Sequence, residues 1–324
     1  MATIFVTEKI PDSGIALLKD AGHTVLVSAK DGALTHDELV ASLHESDPEA
    51  VLCTLNDKIT TDVFEAAPRA KIFANFAVGF DNVDLVAATA KNVVVSNTPG
   101  VLTDTVAEHT IAMMLAITNR IAEGDRFMRA NKYKAWGPMM LLGTDLMHKT
   151  LGIVGAGRIG ERVAHIAREG LHMDIIYTDV AKSPTLEESA RATYYDSVDA
   201  LLPHADIVSL HVPLIPATQH LINAARLSTM KPSAYLINSS RGAVVDEAAL
   251  TEALKSGVIR GAALDVYENE PKVADGLTEL ENVVLTPHIA SASIEARSAM
   301  AEVAAKNIIA VLSGAEAPNR VVVK

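Results

Sequence analysis

Short apolar runs recur along the chain, separated by amphipathic stretches, and this spacing predicts strands alternating with helices. TIFVT (3–7) reads as a strand, 12–21 as a helix and TVLVS (24–28) as a second strand. Thr35, with Glu38 three residues on, has the capping-box pattern that opens a helix to about Ser46. AVLCTL (50–55), KIFANF (71–76) and VVVSN (93–97) read as strands, with helices over 61–67 and within DNVDLVAATAKN between them. Pro99-Gly100 breaks the pattern. One long apolar helix is predicted over about 102–130, followed by the irregular NKYKAWGPMMLLGTDLMHK. A second alternating series then begins near 150, with strands in LGIV, IIYT, DIVSLHV (206–212), SAYLINS (233–239), GAALDV (261–266) and NVVLTPH (282–288). The last segment, IEARSAMAEVAAKNIIAVLSG, has the apolar stripe of a helix of about six turns. It is expected to return to the first unit. Such alternation specifies an α/β protein with parallel sheets. The expected division is 1–100 plus 290–324 as a smaller domain and 101–289 as a larger one, with a cleft between them.

The most specific local signal is LGIVGAGRIGERVAHIAREGLHMDIIYTD (151–179). Gly155, Gly157 and Gly160 form G-x-G-x-x-G between a strand and a helix predicted over 158–168, with Gly170 placed to end it. Asp179 follows a second strand, nineteen residues after Gly160. Each part has a task in holding a dinucleotide. Gly155 allows the tight turn, Gly157 lets backbone approach a pyrophosphate, and Gly160 lets helix pack on strand. The helix N-terminus offers N–H groups to phosphates, and Asp179 can accept from the ribose hydroxyls. A purely structural glycine turn is the alternative.

Composition narrows the rest. At 324 residues and 49% apolar, the chain has material for two full cores. A net charge of −12 argues against a nucleic-acid surface and against an anionic membrane surface. Cys53 is the only cysteine, so neither an internal disulfide nor a cysteine metal cluster is expected. His165 and His172 have no companion cluster, so no metal is expected. The N-terminal residues lack a signal-peptide pattern and no run of 18 apolar residues occurs, so the expectation is a cytoplasmic protein.

Several strands of the second series end in reactive residue types. NSSRG presents Arg241, whose permanent charge can grip a carboxylate bidentately. LDVYENEP presents Asp265 and Glu270, and LTPHIAS presents His288. Histidine is the side chain suited to proton exchange near neutrality, and Glu270 can fix its tautomer and stabilise the imidazolium. Hydride transfer to a carbonyl creates an alkoxide that needs one such acid. Singly, each has an ordinary structural alternative, an ion pair for the arginine or a turn for the histidine.

NFAVGFDNVD (75–84), TVAEHT (105–110), LGIVGAGRIG (151–160), HVPL (211–214), NSSRGAVVDEAAL (238–250), LDVYENEP (264–271) and TPHIAS (286–291) together resemble the D-isomer-specific 2-hydroxyacid dehydrogenases. They come in that family's order over essentially the whole chain, and NFAVGFDNVD with the C-terminal helix is most similar to its glyoxylate/hydroxypyruvate reductase branch. The resemblance implies a Rossmann dinucleotide-binding domain with a dimerisation arm, inserted into a smaller flavodoxin-like α/β substrate domain. It implies a catalytic trio of Arg241, Glu270 and His288, and substrate contacts from Val78, Gly79, Arg241 and Ser291. Thr105, Arg158, Ile159, Pro213, Ser240 and Asp265 match positions that contact the dinucleotide, beside Gly155, Gly157, Gly160 and Asp179. NAD(H) is the implied cofactor, a small anionic 2-oxo or 2-hydroxy acid the substrate, and a homodimer the assembly. Two departures stand out. His148 occupies a position that is usually glycine, and Met139 or Met140, with Trp136 nearby, stands where the reductases often carry an aromatic.

The expected activity is NAD-dependent reduction of glyoxylate or hydroxypyruvate to the D-hydroxy acid. D-lactate or another D-2-hydroxyacid dehydrogenase is the alternative within the family. A dinucleotide-sensing, corepressor-like binding module is the alternative outside catalysis.

Overall fold

The computed structural model describes residues 1–322. The chain divides into two compact units, Met1–Leu102 together with the segment from Ala292 on, and Thr103–Ser291. The first contains strands β1 (Thr3–Val6), β2 (Thr24–Val27), β3 (Ala50–Cys53), β4 (Ile72–Asn75) and β5 (Val94–Ser96). They form a parallel sheet in the order β2-β1-β3-β4-β5. This is the doubly wound order of flavodoxin-like folds. One face packs on the helices His36–Ser46 and Thr61–Ala66 through Val51, Cys53, Phe73 and Val95. Helices Asp12–Asp20 and Ile294–Leu312 pack together, the latter also against β3, β4 and β5. Thr35 caps its helix as expected, accepting from Glu38 N while Glu38 accepts from Thr35 N at 2.7 Å.

The second unit contains β6 (Thr150–Val154), β7 (Asp174–Thr178), β8 (Thr193–Tyr194), β9 (Ile207–Leu210), β10 (Tyr235–Asn238), β11 (Gly261–Leu264) and β12 (Val283–Leu285). Their order is β12-β11-β10-β9-β6-β7-β8, parallel throughout. The chain runs outward from β6 to β8, then restarts beside β6 at β9. The carboxyl ends of β6 and β9 therefore flank the topological switch point, where ligands of such sheets bind. Strands buried on both faces read as continuous apolar runs because successive side chains serve opposite cores. Val154, Val208, Leu236 and Ala262 belong to one core, and Ile153, Ile207, Ile237 and Ala263 to the other.

Three local details differ from the sequence expectation or refine it. The helix expected over 102–130 is two helices, Thr103–Thr118 and Ile121–Arg129, broken at Arg120 with φ 54°. Side chains compete for the backbone there, Thr118 Oγ1 bonding Met114 O and Asn119 Nδ2 bonding Leu115 O, while Thr144 N takes the Thr118 carbonyl. The helix expected to end at Gly170 runs Arg158–Leu171 and closes at His172, φ 52°. The fully buried Met173 sets that end, its N–H bonding Ala167 O at 3.2 Å. His148 does sustain the left-handed turn, at φ 61°.

Candidate active site

The glycine motif sits at the end of β6. Gly155 has φ 100°, and a Cβ there would lie 2.7 Å from the His211 carbonyl carbon, so the two strand ends beside the switch point meet backbone to backbone. At Gly160 a Cβ would lie 2.1 Å from Gly155 O, which fixes helix Arg158–Leu171 against β6. Gly157 is different. Its φ is −80° and a Cβ there meets no protein atom within 4 Å, so nothing within the described residues requires glycine at that position. The open space at Gly157 would admit a pyrophosphate, and the N-terminus of Arg158–Leu171 carries no side-chain cap to obstruct one. Arg158 is exposed there and Ile159 half-buried. Asp179 follows β7, its Oδ2 accepting from Ala156 N of the glycine turn and its Oδ1 from Val180 N, both at 2.6 Å. These residues fit a dinucleotide.

His211, just after β9, bonds Ser209 Oγ at 2.9 Å. Loss of hydration pulls it down to about 4, so the ring is neutral at physiological pH. Pro213 follows, exposed, its carbonyl taken by Thr218 Oγ1. Thr105 lies half-buried in the first turn of Thr103–Thr118.

The reactive residues follow three adjacent strands of the same sheet, in register. Asn238, Leu264 and Leu285 are paired across β10, β11 and β12, and Arg241, Asp265 and His288 come one to three residues later. Asn238, buried at the end of β10, shapes the first turn: its Nδ2 donates to Arg241 O, and its Oδ1 accepts from Ser240 N and Oγ. Arg241 in turn donates to Ser240 O. A Cβ on Gly242 would fall 1.8 Å from the Tyr267 carbonyl carbon, so the arginine loop lies directly against the loop that carries Glu270.

His288 Nδ1 lies 2.8 Å from Glu270 Oε2, and the other oxygen, Oε1, accepts from Tyr267 N at 2.9 Å. One carboxylate thus ties the imidazole to its own loop. His288 has φ 53° and its N–H bonds Asp265 O at 2.8 Å. Asp265 is fully buried, and its oxygens accept from Thr286 Oγ1, Ile289 N and Ala290 N at 2.6–2.8 Å. Burial pushes this carboxyl up, but the hydrogen bonds from His109, Thr286, Ile289 and Ala290 outweigh it and hold it below the ordinary range. Asp265 therefore pins the backbone at His288 and at the two residues after it, and Ser291 follows the pinned Ala290. Tyr267 bonds Leu264 O and Thr286 O; burial, then the charges of Asp265, Glu247 and Glu270, push its phenol up to about 12.

Val78 and Gly79 belong to the first unit. Their carbonyls are tied by side-chain amides, Asn97 Nδ2 to Val78 O at 2.7 Å and Asn75 Nδ2 to Gly79 O at 2.9 Å. The sequence reading singled out none of Asn75, Asn97, Asn238, His109 and Thr286. A polar residue closing an apolar strand was the available signal for Asn75 and Asn238. His109, 3.3 Å from Thr286 Oγ1, gave no signal beyond its place in TVAEHT.

Residues 111–290 match the family model described as D-isomer specific 2-hydroxyacid dehydrogenase, NAD binding domain. A glyoxylate reductase of Thermofilum pendens is 46% identical over 317 residues, covering 97% of this chain and 93% of that protein. Among solved structures, the TT0316 protein of Thermus thermophilus superposes with a TM-score of 0.92 at 41% identity, covering 99% of this chain and all of that one. An NADPH-dependent glyoxylate/hydroxypyruvate reductase of Sinorhizobium meliloti superposes at 0.85 with 32% identity, covering 99% and 98%.

Proposed function

The chain belongs to the D-isomer-specific 2-hydroxyacid dehydrogenase family and is an oxidoreductase acting on CH–OH donors, and from that premise we propose that it reduces small 2-oxo acids with NADH. Glyoxylate and hydroxypyruvate are the first candidates, in keeping with the names of the relatives, and the product is the D-2-hydroxy acid. The observation that carries the reading is the His288–Glu270 pair at 2.8 Å, in register along one sheet edge with the Arg241 turn.

A reduced nicotinamide, when bound, would supply the hydride for the substrate's carbonyl carbon. His288 delivers the proton that the resulting alkoxide needs. With Nδ1 held by Glu270, the proton leaves from Nε2, and the carboxylate stabilises the imidazolium before transfer. Arg241 clamps the substrate carboxylate and carbonyl with its planar fork. In the first unit, the backbone N–H groups of Val78 and Gly79 are the proposed donors to substrate, and in the second, Ser291 is a further proposed substrate contact. Thr105, Arg158, Ile159, Pro213, Ser240 and Asp265 join the glycine motif and Asp179 around the dinucleotide. NADH is the expected cofactor rather than NADPH: the Asp179 carboxylate would repel a 2′-phosphate bound beside it, and the following Val180 and Ala181 bring no arginine to offset that.

The arm supports a homodimer. Ile121, Met128, Tyr133, Trp136, Met139, Leu142 and Met147 are all exposed within one stretch of chain, an apolar surface suited to a second copy. No helix among the described residues is long and apolar enough to cross a membrane.

The decisive experiment is a steady-state assay of glyoxylate, hydroxypyruvate, pyruvate and phenylpyruvate with NADH, with chiral chromatography of the lactate formed. Turnover fastest with the two smallest polar substrates and D-lactate from pyruvate are expected. Failure to turn over any of the four, or an L product, overturns the proposal. Light scattering of the purified protein tests the dimer.

A further inference from the structure

Glu247 is the first residue of the helix Glu247–Lys255 and is only 5% exposed. Carboxylates are rarely this buried unless their oxygens are engaged. The helix start does not need this one, because the N-cap, Asp246, already accepts from Ala249 N at 2.9 Å. Instead the Glu247 side chain leaves its helix. Oε2 accepts from Glu268 N at 2.8 Å and Oε1 from Ala274 N at 2.9 Å. Those two N–H groups bracket residues 268–274, and Glu270 lies between them. Within the bracket the chain turns tightly, Lys272 N bonding Asn269 O at 2.9 Å. Neither a regular strand nor a helix runs through 268–274, so side chains must hold it. Glu268 adds a second tether, its Oε1 lying 2.7 Å from His220 Nε2.

We propose that Glu247 is a positioning residue for the acid/base pair, setting the loop that presents Glu270 to His288. The proposal rests on the reading of Glu270 and His288 given above. The chain of contacts is short and rigid. The carboxylate fork fixes two points of the loop, Glu270 Oε1 locks onto Tyr267 N just before it, and Glu270 Oε2 meets His288 Nδ1 at 2.8 Å. A loop shift of about 1 Å lengthens that last contact beyond hydrogen-bonding range and is enough to cost about 100-fold in rate. Across the gap, Asp265 fixes the His288 loop by the same device, a buried carboxylate accepting two backbone N–H groups. The pair is thus aligned from both sides.

Glu247→Gln is the informative change. Its amide oxygen accepts one of the two N–H groups, while its NH2 meets the other donor to donor. We expect kcat for glyoxylate reduction to fall about 10- to 100-fold, with the KM for NADH within about twofold, because the crevice at β6 is untouched. The discriminating measurement is a double-mutant cycle with Glu270→Gln. Once Glu270 no longer serves the pair, Glu247→Gln should change kcat by less than about twofold, while lowering Tm equally in both backgrounds. Full additivity of the kcat losses makes Glu247 a fold staple only and overturns the proposal. Glu247→Asp keeps the charge but is one methylene too short to hold both N–H groups. It should also lose kcat, and it carries the cycle if the glutamine variant does not fold. Impaired Glu270→Gln with wild-type kcat in both Glu247 variants sinks the positioning role alone. Wild-type kcat in Glu270→Gln sinks the acid/base reading, and the positioning role with it.

Discussion

Two glycines of one motif should respond oppositely to the same added methyl group. At Gly157 the backbone is ordinary extended conformation and an added Cβ meets nothing within 4 Å, so Gly157→Ala imposes no strain on the free protein. Removing a glycine from a compatible position stabilises by about 0.4–1 kcal/mol through the unfolded chain, which for a unit of this size raises Tm by about 1–4 °C. The cost appears only with the cofactor. The methyl group holds the pyrophosphate off the loop, and each charge-assisted N–H bond lost is worth about 1.5–3 kcal/mol, a 10- to 150-fold weaker Kd for NADH. At Gly160 the added Cβ lies 2.1 Å from Gly155 O, where ordinary contact begins near 3.4 Å. Helix Arg158–Leu171 must retreat by more than 1 Å, an overpacking cost of about 1–3 kcal/mol and a Tm lower by about 2–12 °C. The assay is thermal unfolding of the two variants without cofactor, alongside NADH titration by fluorescence. A Gly157→Ala protein that loses as much Tm as Gly160→Ala, or that binds NADH like wild type, refutes the assignment of that space to a pyrophosphate.

Other consequences are simpler to state. The ratio of kcat/KM for NADH over NADPH should exceed one if the Asp179 carboxylate stands against a 2′-phosphate, with Lys182 of the same loop engaged 5.3 Å over the Tyr194 ring; a ratio below one rejects it. Arg241→Lys should lose several-fold or more in kcat/KM for glyoxylate and Arg241→Ala more again, with NADH affinity nearly unchanged, because a point charge cannot replace a planar fork; wild-type kinetics in both remove Arg241 from the site. In the first unit, Asp57 is 3% exposed and its Oδ2 accepts from Thr7 Oγ1, Thr54 N and Thr54 Oγ1. Burial raises this carboxyl against the lowering by those bonds. Its contribution to stability is therefore complete below the unfolded value of about 3.9 and is lost as pH rises through the raised folded value. Asp57→Asn keeps the accepting oxygen and removes the buried charge, so it should raise Tm by roughly 2–5 °C at pH 8, with the gain shrinking toward pH 4. A lower Tm at pH 8 contradicts this.

How much of this was legible in the sequence depended on the range of the interactions. The glycine motif and Asp179 span under thirty residues, and their chemistry is written in adjacent strand, turn and helix. The parallel sheets follow from the alternation of strands and helices, whereas their strand orders were implied only by the family resemblance. The reactive residues were legible because each closes an apolar strand, so their common edge followed once β10, β11 and β12 were paired. What failed was local punctuation overruled by distant packing. Gly170 has the chemistry to end a helix, yet the end came at His172, because the burial of Met173 decided it. The break at Arg120 was hidden because the residue that takes the Thr118 carbonyl, Thr144, lies beyond the next helix.

The support of the site was hidden for the same reason. Glu247 lies 21 residues from Glu268 and 27 from Ala274, and Asp265 lies 24 and 25 from the two N–H groups it holds. A buried carboxylate that accepts from backbone leaves no pattern, because its partners are N–H groups that every residue but proline carries. The reacting side chains must be of particular types and therefore show in a sequence. Their placement is left to groups whose partners have no side-chain identity, and so it appears only when the fold brings those backbones together.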